Sequence, residues 1–219
     1  MWRELNHKMS LEKIPNIKFI VPTHRCHEYL LDFILATASF GAYFKVYHGQ
    51  PVTTFAPAMK GGHPTHVSFL FSGIASKKHL SFFPHEIFVD VILKNTRNTN
   101  IAYVEEAVYK EVSGVTTHAG SMFGGFTNAM FIRYYEDNQD NWKSQYGGDQ
   151  DTWPEVLRFA RIVRNCMSHG GKIEIRNPKE RPVNHFGLTY SHKDNGNPIR
   201  PDLGPADIFY LMLDMDAVF

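Results

Sequence analysis

Residues 152–171 read TWPEVLRFARIVRNCMSHGG, and the way this stretch is folded decides much of the rest. Thr152 is placed to cap a helix, Pro154 suits its first turn, and Glu155 stands at the third helical position as in a capping box. Gly170 and Gly171 supply the stop. At about 100° per residue, Arg158, Arg161, Arg164, Asn165, Ser168 and His169 fall on one arc. Val156, Phe159, Ile162, Val163, Cys166 and Met167 collect opposite them, with Leu157 the one apolar residue out of place. The spacing therefore predicts an amphipathic helix with a core face and an arginine-rich face. Asn165 and His169, four apart, project together. An ordinary helix end has a similar composition, because arginine and histidine complement the carbonyl end of the dipole and glycine terminates helices routinely.

Charge gathers around the same stretch. From Arg158 to Arg200 there are nine Lys or Arg against three Asp or Glu, a net of +6. The remaining chain carries 14 basic and 19 acidic residues, so the overall +1 hides an asymmetry. A basic fifth of the chain points to an anionic partner.

Outward from this stretch, the pattern is mostly helical. A long helix is expected from about His27 to Tyr47, followed by an irregular segment punctuated by proline and glycine, GQPVTTFAPAMKGGHPTH. Pro84 opens a helix expected to run to Asn95, Thr99 or Asn100 one to Glu111, and Thr117 one to about Glu136. A polar loop, DNQDNWKSQYGGDQ, leads into the 152–169 helix. After it, KIEIR at 172–176 and HFGLTYS at 185–191 alternate polar and apolar, as a small β-hairpin would. Pro205 and Asp207 open a last helix. No linker divides these elements, so the expectation is a single domain over 1–219, mainly α, a helical bundle with a small β-hairpin inserted before the last helix.

Composition is that of a globular protein, 43% hydrophobic with 14% aromatic residues. Two cysteines, Cys26 and Cys166, make no disulfide framework, and MWRELNHKMSLEKIP lacks the apolar run of a secretory signal. A reducing cytoplasm is the expected home. Tyr29–Phe44 approaches the length of a membrane span, yet Asp32 sits inside it; a buried helix and no membrane association are expected.

The run Arg164-Asn165-Cys166-Met167-Ser168-His169 resembles the motif of the HEPN (higher eukaryotes and prokaryotes nucleotide-binding) superfamily: arginine, a polar residue, three variable residues, histidine. The resemblance spans about 80–219, only the motif is specific, and residues 1–80 are unassigned. It implies a helical bundle that dimerises, uniting two motifs in one composite, metal-independent ribonuclease site. On that reading Arg164, Asn165 and His169 are catalytic, while Arg158, Arg161, Ser168 and Lys172 hold RNA. The residue types suit the chemistry. A guanidinium clamps phosphate with paired hydrogen bonds, and a histidine titrating near neutrality moves the proton of the ribose 2′-hydroxyl or of the leaving oxygen. In some members a tyrosine two positions after the histidine is modified by a partner; here Gly171 stands there.

Other signals are weaker. THRCHEY (His24, Cys26, His27) and GGHPTH (His63, His66) match no strong zinc spacing in a chain with 12 histidines. HAGSMFGG at 118–125 lacks the lysine of a phosphate loop, and Gly120 and Gly124 suit close helix approach. No metal and no cofactor are expected. The expected function is a HEPN-type endoribonuclease, a toxin or defence effector cleaving RNA, with an antitoxin or defence-system component as a possible partner. A non-catalytic RNA- or nucleotide-binding module, or a helical adaptor, is the alternative.

Overall fold

The computed structural model describes residues 16–48, 69–82, 87, 90–91, 94–107, 118–199 and 202–219. In chain order the elements are β1 (Lys18–Ile20), α1 (His27–His48), β2 (Phe69–Ser72), β3 (Lys78–Phe82), β4 (Ile101–Ala107), α2 (His118–Tyr146), α3 (Glu155–Ser168), β5 (Val183–His185), β6 (Leu188–Tyr190) and α4 (Pro205–Asp216). Strands β1 to β4 form an antiparallel sheet in the order β1-β4-β3-β2, and β5 pairs with β6. The expected mainly α bundle is thus corrected: among the described residues four helices pack with two antiparallel sheets in a mixed α/β fold.

The largest departure is β4, where the sequence predicted a helix from Thr99 or Asn100 to Glu111. Ile101 and Tyr103 are buried in the main core, and Ala102 and Val104 are buried in a separate cluster with Ile17. A strand covered on both faces shows a continuous apolar run instead of alternation, and such a run does not distinguish strand from helix. The β2–β3 hairpin had no counterpart in the expectations. Its register sets Phe71 opposite Leu80 and Phe69 opposite Phe82. The expected 84–95 helix falls largely outside the described residues.

One buried cluster runs from Ile20 to Met215, and α4 lies at its centre. Eight residues of α4 are buried, so it has no solvated face of the usual kind. Its Phe209 meets Phe33, Phe71 and Phe82 edge-on at centroid distances of 5.2, 5.0 and 5.4 Å. A second aromatic group joins α2 to the chain end, with Trp142 against Tyr135 at 5.1 Å and Phe219 at 5.5 Å. Two carboxylates on α4 tie distant segments together. Asp207, fully buried, accepts the amides of Ile74, Ala75, Ser76 and Gly204 at 2.7–3.1 Å. Asp216 accepts the amide of Cys26 at 3.0 Å and the hydroxyl of Tyr134 at 2.5 Å.

The α2 helix continues to Tyr146, through most of the stretch expected as a polar loop. KIEIR does not enter the hairpin. Its residues are extended, with Ile173 and Ile175 buried as their alternation suggests, but their backbone groups bond to the 192–197 turn. The hairpin is instead β5–β6, closed by Phe186 and Gly187 with φ of +52° and +77°, the two-residue turn with both centres left-handed. No helix among the described residues is long and apolar enough to cross a membrane.

Candidate functional site

Helix α3 begins at Glu155, with Pro154 in the cap position and no side-chain cap; Thr152 belongs to a preceding 3-10 turn. Glu155 looks outward instead, accepting the amide and the side-chain nitrogen of Asn184 at 2.8 and 2.9 Å. At the other end His169 is the cap, Gly170 and Gly171 take φ of +79° and +80°, and the Gly171 amide reaches back to the Cys166 carbonyl at 2.6 Å. This is a Schellman-type stop, which needs glycine at its left-handed position.

The helix buries more than one stripe. Leu157 and Ala160 are buried along with Phe159, Ile162, Val163 and Cys166, because α2, α4 and the β5 strand enclose it from several sides. Arg158 is enclosed too, at 7% exposure, and its Nη2 donates to the Arg181 carbonyl at 2.6 Å. It sits away from the solvated face on which the sequence placed it. Burial pushes the Cys166 thiol up to about 12, which leaves it a packing residue without thiolate character.

The remaining polar residues converge at the C-terminal end. Arg161, Asn165 and His169 line an open cavity of about 420 Å³, completed by Gln150 and Asp151 before the helix and by Glu174, Arg176, Asn177 and Glu180 after it. Arg164 leaves on the other flank. Its Nη2 pairs with Glu136 of α2, while its Nη1 donates to Asn165 Oδ1 at 2.9 Å. Ser168 and Lys172 are exposed beside this end. The exposed His169 ring makes no hydrogen bond or ion pair among the described residues.

Sequence reasoning missed the acidic partners. Arg161 Nη2 pairs with Glu180 and lies 2.9 Å from Asp151 Oδ1, and Arg176 pairs with Glu174 at 2.5 Å. Three carboxylates and two guanidinium groups therefore border the cavity. Arg161, Arg164 and Arg176 are paired with carboxylates, and two of these (Glu136 and Asp151) come from outside the basic 158–200 segment and offset part of its +6. Of its cations, Arg158, Lys172, Lys179, Arg181 and Lys193 have no ion pair among the described residues. Behind the face stands Tyr135 of α2, with a buried hydroxyl that lacks a hydrogen-bond partner among the described residues. Burial pushes it up to about 12, and the nearby charges of Arg161 and Arg164 pull the other way.

The chain matches no protein-family model, no curated protein and no solved structure. Among the described residues no group of three or more His, Cys, Asp or Glu side chains is arranged to hold a metal ion. In THRCHEY, His27 Nε2 bonds the Thr99 carbonyl at 2.7 Å, and Cys26 is buried. GGHPTH lies outside the described residues.

Proposed function

We propose that this chain is a metal-independent endoribonuclease working from the cleft at the end of α3. The observation that carries the reading is the grouping there: an unengaged His169 ring, Asn165 in the same cavity, and Arg164 bonded to Asn165 Oδ1. In the reaction the ribose 2′-oxygen attacks phosphorus, the bond to the 5′-oxygen breaks, and a 2′,3′-cyclic phosphate and a 5′-hydroxyl result. His169 moves a proton at the attacking or the leaving oxygen, and Arg164 meets the charge that builds on the phosphoryl oxygens.

Of the two arginines, Arg164 is the one available to phosphate. Its pair with Glu136 is 28% and 40% exposed, so exchanging carboxylate for phosphate costs little. The Arg161 pair with Glu180 is 18% and 8% exposed and better suited to shaping the cavity wall. Lys172 and Ser168 stand at the rim to position the polyanion. The reading rests on this local chemistry and on the likeness of the motif to HEPN ribonucleases. It does not rest on the fold, which departs from the helical bundle of that resemblance.

One histidine per chain serves one side of the phosphorus, and a two-fold dimer would supply the second. The proposed enzyme is therefore a homodimer with a composite site, a cytoplasmic toxin or defence effector held in check by an antitoxin or defence-system partner. The carboxylates on Arg161 and Arg164 favour a second reading, an RNA-binding module without catalysis. Incubating the purified chain with RNA in excess EDTA, with end-group analysis, separates the two. Cyclic-phosphate ends support the enzyme, and binding without cleavage supports the module. Loss of cleavage on chelation, restored by a divalent ion, would move the site elsewhere.

A further inference from the structure

A second, larger cavity of about 650 Å³ lies between the sheet and α4 and shares no lining residue with the α3 cleft. Its two ends carry opposite charge. At the sheet end Lys18 and Lys78 both approach Glu105 Oε2, at 2.8 and 3.9 Å, so two ammonium groups share one carboxylate. Lys78 Nζ also lies 5.3 Å from the centre of the Tyr210 ring, which fixes this end beside Tyr210. At the other end is Asp214, one turn further along α4, with a side chain 49% exposed and His185 Nε2 3.1 Å away. Asp216 adds negative charge there, although its oxygens already accept from Cys26 and Tyr134.

Leu213 and Phe186 add apolar surface to the lining. Phe186, the first centre of the β5–β6 turn, contributes to the lining from there. The Tyr103 hydroxyl, also in the lining, has no hydrogen-bond partner among the described residues and is free to meet a polar ligand.

We propose that this cavity binds a small zwitterion with an apolar middle, a few methylene groups long: its anionic group between Lys18 and Lys78, its ammonium group at Asp214. A plain anion meets the carboxylate end, and a plain amine meets the lysine end, so neither satisfies both. The assignment is independent of the ribonuclease reading.

The test is calorimetric titration of the full chain with 5-aminopentanoate, pentanoate, pentylamine and glycine. The zwitterion of matching length is expected to bind about tenfold or more tighter than the other three. Lys78→Met and Asp214→Asn should each weaken it about tenfold. Both side chains are about half exposed, so the variants should keep the wild-type melting temperature. RNA cleavage, if present, should not change in either variant. Equal binding of pentanoate or of pentylamine, no saturable binding of 5-aminopentanoate, or indifference to both substitutions would overturn the assignment.

Discussion

Asp207 Oδ2 accepts the amide of Ile74 at 2.7 Å, joining the first turn of α4 to the turn between β2 and β3. Ala75, Ser76 and Gly204 point their amides at the same carboxylate. Four donors need acceptor-only oxygens, which an amide side chain offers on one atom only. Asp207→Asn should therefore destabilise the fold by about 1–3 kcal/mol, since even with its oxygen in the Oδ2 position the Ser76 amide is left facing a donor. Urea denaturation followed by circular dichroism checks this. A loss of a few tenths would mean that water replaces the carboxylate.

The motif residues should separate by role. His169→Ala should reduce cleavage by about 10² to 10⁴-fold with the fold intact, because proton transfer is lost. Arg164→Ala should be comparably severe, and Arg161→Ala should act chiefly through stability, since it strips two carboxylates of their partner. Full activity in His169→Ala would end the catalytic assignment.

Glu136 occupies the guanidinium that phosphate needs. Removing its charge in Glu136→Gln should strengthen RNA binding up to about fivefold, the range of an exposed ion pair. Salt titrations of binding would report it. Weaker binding in the variant would show that Glu136 positions Arg164 and does not compete for it.

Assembly follows from the need for two proton-transfer groups at one phosphorus. Light scattering should give the mass of a dimer, and distances between spin labels near His169 should place the two ends of α3 close together. A strictly monomeric active enzyme would exclude the composite site.

At high pH the fold should fail in one step. Burial pushes Tyr103 and Tyr135 up to about 12, and it raises Tyr134, Tyr190 and Tyr210 further. A raised phenol contributes its stability in full below the unfolded value of about 10 and loses it as pH rises toward the folded one. Phenolate absorbance for these five should thus appear together with loss of the circular dichroism signal. Smooth titration near pH 10 in a folded protein would contradict their burial.

The legible parts of the sequence were those where local signals and tertiary packing agree. Helix α3 was readable from Pro154, Glu155, the apolar spacing and Gly170, and α1 and α4 from their apolar runs. The sheet was not. β4 is buried on both faces, so its period vanished, and β2–β3 went unnoticed although FLFS and KHLSF flank a short connection that opens with Gly73. The site was half legible. Asn165 and His169 line one cavity as their spacing suggested, whereas Arg164 leaves on the other flank, and Glu136, Asp151 and Glu180 reach the arginines from elements whose placement no local pattern gives. Arg158 shows the limit of a wheel, which assigns a direction without knowing what lies there.

The bond from the Cys26 amide to Asp216 joins residues 190 apart in the chain. With β1 paired to β4 and Asp207 reaching the β2–β3 turn, much of the core forms only after long loops close. Their closure entropy is lost before packing compensates it. The protein should consequently refold slowly for its size, and while its last helix is undocked the aromatic face of the sheet at Phe71 and Phe82 stays open to aggregation.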